Sequence, residues 1–149
     1  MKKISVLVTA ILFTGLLCAQ QPFNKDQQQV QQTIQKMFDA LSNSDTISLK
    51  LYCTTDVKFY EYGQIWTIDT MILKVMLVSK SADYKRTNKL DFVNTTINRN
   101  IAWATYYLQS EITRNNKVEL VKWMETVVLV KLKKQWKIKL LHSTLIKRT

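Results

Sequence analysis

His142 is the only histidine of this 149-residue chain. An imidazole does general acid–base work when a second group orients it or shares its proton. The alternation of the carboxyl-terminal third brings two such groups beside it. Strand residues at i and i+2 share a face, and Ile101 to Leu145 reads as three long strands in succession. Asn tolerates positive φ, so Asn115-Asn116 makes a two-residue hairpin loop. Arg114 then pairs with Lys117, Leu108 with Trp123, Tyr106 with Glu125, and Ala104 with Val127. With Lys133-Lys134 as the next loop, Val127 stands opposite Leu140, Glu125 opposite His142, and Trp123 opposite Thr144. One face therefore carries Trp136, Ile138, Leu140, Leu129, Val127, Leu108 and Trp123, and within it a polar row, Tyr106–Glu125–His142. This largely apolar face is the one to bury. The other carries Lys137, Lys139, Lys122, Gln109, Thr105 and Thr126 among Tyr107, Met124 and Val128.

Two jobs suit that row. As a catalytic set, Glu125 and His142 form an acid–base dyad whose carboxylate raises the imidazole pKa. Tyr106 then donates a hydrogen bond to a bound carbonyl or developing oxyanion. As a structural set, the same three side chains form a satisfied cross-strand network, since buried polar groups need partners whatever the function. Trp123, Val127, Leu108, Ala104, Leu140 and Thr144 are the expected lining of a pocket around it. Trp103, Tyr60 and Tyr62 could line its mouth, although aromatic core is their ordinary use.

A metal site has no support, because one histidine with scattered carboxylates supplies no ligand set. No cofactor is expected either: with two glycines and one proline the chain has no glycine-rich phosphate loop, and no linker or repeat. The formal net charge is +11. Its lysines are spread through every segment, with one cluster at Lys131, Lys133, Lys134, Lys137 and Lys139. That cluster reads as a solvated strand edge and turn, where lysine discourages edge pairing. A nucleic-acid partner is not expected, since no groove-entering helix or stacking aromatics accompany it. An anionic surface or ligand is the remaining partner for such charge.

Residues 1–19 read as a secretory signal peptide: Lys2 and Lys3, then a mostly apolar run from Ile4 to Leu17, then Cys18-Ala19. The run is short for a membrane span, and no later stretch qualifies. A lipoprotein anchor on Cys18 is the alternative, although Leu17 is bulkier than the residue such signals usually carry there. The expected location is thus periplasmic or extracellular. Cleavage after Ala19 leaves 130 residues, 20 basic against 11 acidic, and Cys53 as the sole cysteine. No intrachain disulfide is then possible, so stability rests on packing. Cys53 reads as a small buried apolar residue.

A domain is expected over residues 24–148. Asn24 with Gln27 makes a capping box for a helix to Ser42, with Val30, Ile34, Met37, Phe38 and Leu41 on one stripe. Asp45 caps a second helix to about Tyr52, with Ile47 and Leu51 inward. Val57 to Tyr62 alternates as a strand, Gly63 turns, and Ile65 to Thr67 returns. Asp69 caps a third helix to about Lys80, with Ile68 and Leu73 as its hydrophobic staple. Met71, Ile72, Val75, Met76 and Val78 give it an unusually apolar surface, which needs covering on more than one side. Tyr84 to Asn98 is a further extended run, joined to the next strand by Arg99-Asn100 or by Asn98 to Asn100. Helices followed by long antiparallel strands make an α+β order. Strands this long twist and coil, so the sheet curls into a cone-shaped barrel whose concave side the three helices close. Ala102 and Ala104 lower its floor and leave a hollow there.

This order, closing on Trp136, His142 and Ser143 and preceded by Glu125-Thr126, resembles the nuclear transport factor 2-like superfamily over about Gln27 to Lys147. Within it the chain looks most like the secreted bacterial SnoaL-like branch. The resemblance implies a cone-shaped α+β barrel, a ligand pocket, and a homodimer through the outer sheet face. Superfamily members include isomerases, cyclases, dehydratases and hydrolases beside many without catalysis, so the fold does not name a function. The chain departs from the ketosteroid isomerase pattern, having Met37 and Phe38 in its first helix where a tyrosine donor would stand. The expectation is an exported protein that binds a small, partly apolar ligand without catalysis. One alternative is an enzyme doing proton-transfer chemistry (isomerase, dehydratase or hydrolase type) with His142 and Glu125. Another is a protein-interaction scaffold using the outer face around Tyr107, Met124 and Trp103.

Overall fold

Asn24 starts the first helix with both bonds of a capping box. Its Oδ1 accepts from the Gln27 N–H at 2.9 Å, and Gln27 Oε1 accepts from the Asn24 N–H at 2.8 Å. The computed structural model describes residues 23–149; the expected leader over residues 1–19 lies outside the described residues. Helix α1 (Lys25–Ser42) buries the expected stripe of Val30, Ile34, Met37, Phe38 and Leu41. Burying a side chain the size of Ile34 or Met37 contributes about 1.5–3 kcal/mol, and α1 is the main cover of the sheet's concave face.

Helix α2 (Thr46–Tyr52) is capped by Asp45, whose side chain accepts from the Ser48 N–H at 2.9 Å. It turns Leu49 inward, not Ile47 and Leu51, which are 82% and 52% exposed. Residues four apart share a helix face, and Leu49 stands on the opposite one, so this short helix could bury one set only. Strand β1 (Cys53–Glu61) turns at Tyr62-Gly63, both with positive φ, into β2 (Gln64–Trp66). Helix α3 (Ile68–Val78) is capped by Thr67 rather than Asp69. Asp69 sits in the first turn, where its charge suits the helix dipole. Leu73 is 64% exposed and makes no staple. Met71 and Val75 face the core, and Met76 and Leu77 are exposed beside Leu73.

Four long strands follow: β3 (Lys85–Asn98), β4 (Ile101–Arg114), β5 (Lys117–Leu132) and β6 (Gln135–Arg148). The loops are Arg99-Asn100, Asn115-Asn116 and Lys133-Lys134, with positive φ at both residues of the latter two. The sheet order is β2-β1-β6-β5-β4-β3, with β1–β6 parallel and every other pairing antiparallel. The architecture is α+β: a mixed, unclosed, curved sheet with three helices on its concave side.

The β4–β5 register matches the hairpin count, with Tyr106 opposite Glu125 and Leu108 opposite Trp123. The β5–β6 register does not. Leu129 pairs with Ile138 but Val128 pairs with Leu140, leaving Lys139 as an extra residue on β6. From Leu140 to Leu145 each β6 side chain is on the face opposite to the one the count gives, until a second extra residue, Ile146, reverses it again. Val127 faces Leu141 and Glu125 faces Ser143, while His142 lies opposite Thr126 and Thr144 opposite Met124.

Candidate functional site

The bulge decides which groups meet inside the cone. Tyr106 and Glu125 point inward and are fully or almost fully buried. His142, Leu140 and Thr144 stand on the outer face, His142 exposed and 6.3 Å from the Tyr60 ring. The expected Glu125–His142 dyad is therefore not assembled. Ser143 takes the inward place instead, donating toward Glu125 Oε1 at 2.7 Å and Glu61 Oε1 at 2.8 Å. One hydroxyl has one proton. Both contacts are hydrogen bonds only when one carboxyl is itself protonated and donates to Ser143 Oγ.

The electrostatics agree with a shared proton. Burial pushes the Glu125 carboxyl up to about 7, with the Ser143 hydrogen bond opposing. Burial also raises Glu61, again against its bond to Ser143. The Tyr106 phenol is pushed well above its ordinary value, first by burial and then by neighbouring Glu125. Tyr106 and Glu125 influence each other's titration, yet no hydrogen-bond geometry between them is met. Tyr106 OH and Glu125 Oε2 are both buried without a partner, a state that costs about 1–3 kcal/mol per group. Phe38 and Phe92 hold the Tyr106 ring, at centroid distances of 6.1 and 5.3 Å.

Above this floor lies a cavity of about 360 Å³ between the sheet, α1 and α3, within the size range of small-molecule sites. Of the expected lining, Trp123 and Leu108 are in its wall, while Ala104 and Val127 face inward but are packed into the core. Leu140 and Thr144 are outside. Tyr62 is at the wall, whereas Tyr60 and half-exposed Trp103 are elsewhere. The walls are mainly apolar, from Phe38, Leu41, Phe59, Met71, Val75 and Ile112.

Sequence reasoning missed Arg86 and Glu61. Arg86 enters from β3 and is held by neutral acceptors, Nε donating to Asn88 Oδ1 at 3.0 Å and an Nη to Ser110 Oγ at 3.1 Å. Asn88 in turn donates to Ser42 Oγ at 2.6 Å, fixing the group to α1. The guanidinium lies 5.8 Å from the Trp123 ring, in cation–π range. Both residues were within reach of alternation: Val57, Phe59 and Glu61 share one face of β1, as Arg86, Asn88 and Leu90 do on β3. At the mouth Glu119 bridges Arg114 at 2.9 Å and Arg148 at 3.0 Å, and Arg148 also donates to Tyr62 OH. The Arg114 hydrogen bond is the main cause holding Glu119 below the usual carboxylate range.

Cys53 is buried, which pushes its thiol up to about 12 and leaves no thiolate for nucleophilic work near neutral pH. Among the described residues no cluster of three His, Cys, Asp or Glu side chains could hold a metal, and no helix is long and apolar enough to cross a membrane.

No family model and no curated protein matches this sequence. Solved structures do match it in shape. An NTF2-like protein from Cytophaga hutchinsonii superposes with a TM-score of 0.69 at 16% identity, covering 83% of this chain and 100% of that one. An NTF2-like superfamily protein from Salmonella enterica serovar Typhimurium gives 0.70 at 18%, covering 83% and 92%. The CaMKII hub from S. rosetta gives 0.70 at 17%, covering 84% and 99%. With its three helices closing a curved six-stranded sheet, the chain has the nuclear transport factor 2-like fold.

Proposed function

We propose that this protein binds a small, largely apolar molecule inside the cone, with the molecule's polar end at the inner wall that holds Glu125 and Arg86, and does so without catalysis. One observation carries the reading. Glu125 stands in the wall of a mainly apolar cavity with its Oε2 buried and unpartnered, and a ligand's polar group would satisfy it. In this reading the protein is exported by the leader at residues 1–19 and acts in the periplasm or medium, as a homodimer through the outer sheet face. The exposure of Trp103, Tyr107 and Met124 on that face supports the dimer.

Native mass spectrometry of protein taken from its own periplasm or medium tests the reading. The expected result is a co-purifying small molecule that Glu125→Gln loses or holds more weakly. Apo protein throughout, with no thermal stabilisation by any compound of an apolar library, overturns it.

A second reading is favoured by the position of Glu125 near neutrality. A carboxyl titrating at about 7 suits proton transfer, which contributes ~10²–10⁴-fold in rate. Glu125 would then act as the base, with Ser143 orienting the carboxyl; Tyr106, which is not in the cavity wall, would act only through Glu125. His142, facing outward, has no part in it. Turnover of a bound compound that Glu125→Gln abolishes would replace the non-catalytic reading with this one.

A further inference from the structure

Arg86 is a cation enclosed by the cone with no ion-pair partner. Among the described residues no carboxylate lies within 4.0 Å of it, although four other ion pairs form. Its two bonds go to Asn88 and Ser110, both neutral. A guanidinium carries five N–H donors in a planar fork, so three remain. Glu125 and Glu61 act on it only at longer range, being tied to each other through Ser143. Arg86 is part-buried, so these donors are open to the cavity, where a carboxylate could meet them.

The wall as a whole has the same imbalance. It contains four cationic side chains, Lys74, Arg86, Arg114 and Arg148, against three carboxyls, Glu61, Glu119 and Glu125. The Ser143 bridge places a proton on one of the two inner carboxyls, so the positive surplus exceeds one charge while that proton is held. While that proton is held, Arg86 and the one ionised inner carboxyl cancel, so the surplus belongs to Lys74, Arg114 and Arg148; a monocarboxylate adds one negative charge beside the inner carboxyls, and a phosphate dianion would add two.

Taking the cavity as a binding site, as above, we propose that its ligand is an apolar monocarboxylate. The carboxylate accepts from the free N–H groups of Arg86, and the apolar body lies among Phe38, Leu41, Met71, Val75 and Ile112. A carboxylate matches the fork of a guanidinium in a bidentate arrangement. The mouth arginines, already engaged with Glu119, give an approaching anion a favourable field.

Matched pairs test this: octanoate against octanol and decanoate against decanol, titrated by tryptophan fluorescence and by isothermal calorimetry. A charge-assisted hydrogen bond is worth about 1.5–3 kcal/mol, so each acid is expected to bind about ten- to a hundredfold more tightly than its alcohol. Arg86→Gln should remove that preference, so that acid and alcohol bind alike. Equal binding of acid and alcohol by the unaltered protein overturns the carboxylate assignment while leaving the binding reading intact. Binding of neither class overturns both. The acid-to-alcohol ratio of the unaltered protein decides the question even where Arg86→Gln fails to fold, and Arg86→Lys, which keeps the charge but loses the fork, should fall between.

Discussion

Glu125 puts a carboxyl in the cavity wall with 3% of its surface exposed, and its titration should be visible in the stability of the whole protein. Its folded pKa is raised from 4.5 to about 7. Between those values the folded state holds a proton that the unfolded state has released, so stability falls as pH rises across this window and levels off above it. The loss is about 3 kcal/mol for a shift of this size, and Glu61, raised by burial as well, adds in the same direction. Glu125→Gln cannot ionise and still offers an oxygen to Ser143. It should unfold at higher urea than the unaltered protein at pH 8.5 and show a smaller difference, or none, at pH 5. A variant with the same pH slope as the parent would mean that Glu125 is not the group responsible. Tyr106 and Glu125 were legible as an inward pair because the Asn115-Asn116 loop sets one unbroken ladder between them. His142 was not, since it lies beyond a bulge that no residue type announces.

That bulge belongs to the scale of the strand. Fourteen-residue strands in a strongly coiled sheet need places to bend, and extra residues supply them. Val93 on β3, Lys139 on β6 and Ile146 on β6 are three such places. Each adjoins two apolar residues in a row, Phe92-Val93, Leu140-Leu141 or Leu145-Ile146. Either register then buries one apolar side chain, so hydrophobic alternation could not choose between them. Cap chemistry was more legible: Asn24 and Asp45 cap α1 and α2 as their types suggest, and only at α3 did Thr67 take the place expected for Asp69. A pair of substitutions reads the β6 register directly. Leu141 is 2% exposed, opposite Val127 and beside Phe59, so Leu141→Ala should cost about 2–5 kcal/mol in urea unfolding. Leu140 lies half-buried on the outer face, and Leu140→Ala should cost clearly less. The reverse order would restore the bulge-free register and with it an inward His142.

At the scale of the molecule, the outer face of the sheet is the largest feature that the interior does not explain. The same bulge that turned Ser143 inward arranges this face into rows across three strands: Trp103–Val128–Leu140, Thr105–Thr126–His142, and Tyr107–Met124–Thr144. Trp103, Tyr107 and Met124 are 38%, 47% and 41% exposed. Apolar patches of this extent mark interaction surfaces more often than bare solvent faces. In the proposed dimer a second copy would satisfy them by symmetry, since an isologous contact needs only one self-complementary patch. A stable dimer of standard size buries about 800 Å² on each partner, an area that sheet faces of this length can supply. Met124 lies on the central strand of the patch, so Met124→Lys would place two ammonium groups in or near the contact and desolvate both. Sedimentation equilibrium should then find a monomer at concentrations where the unaltered protein is a dimer. Circular dichroism and octanoate binding should stay unchanged, because Met124 points away from the cone. An unaltered protein that sediments as a monomer would leave this face to another partner. A Met124→Lys variant that stays dimeric would move the contact elsewhere, with the exposed Leu73, Met76 and Leu77 of α3 as the next apolar surface to test.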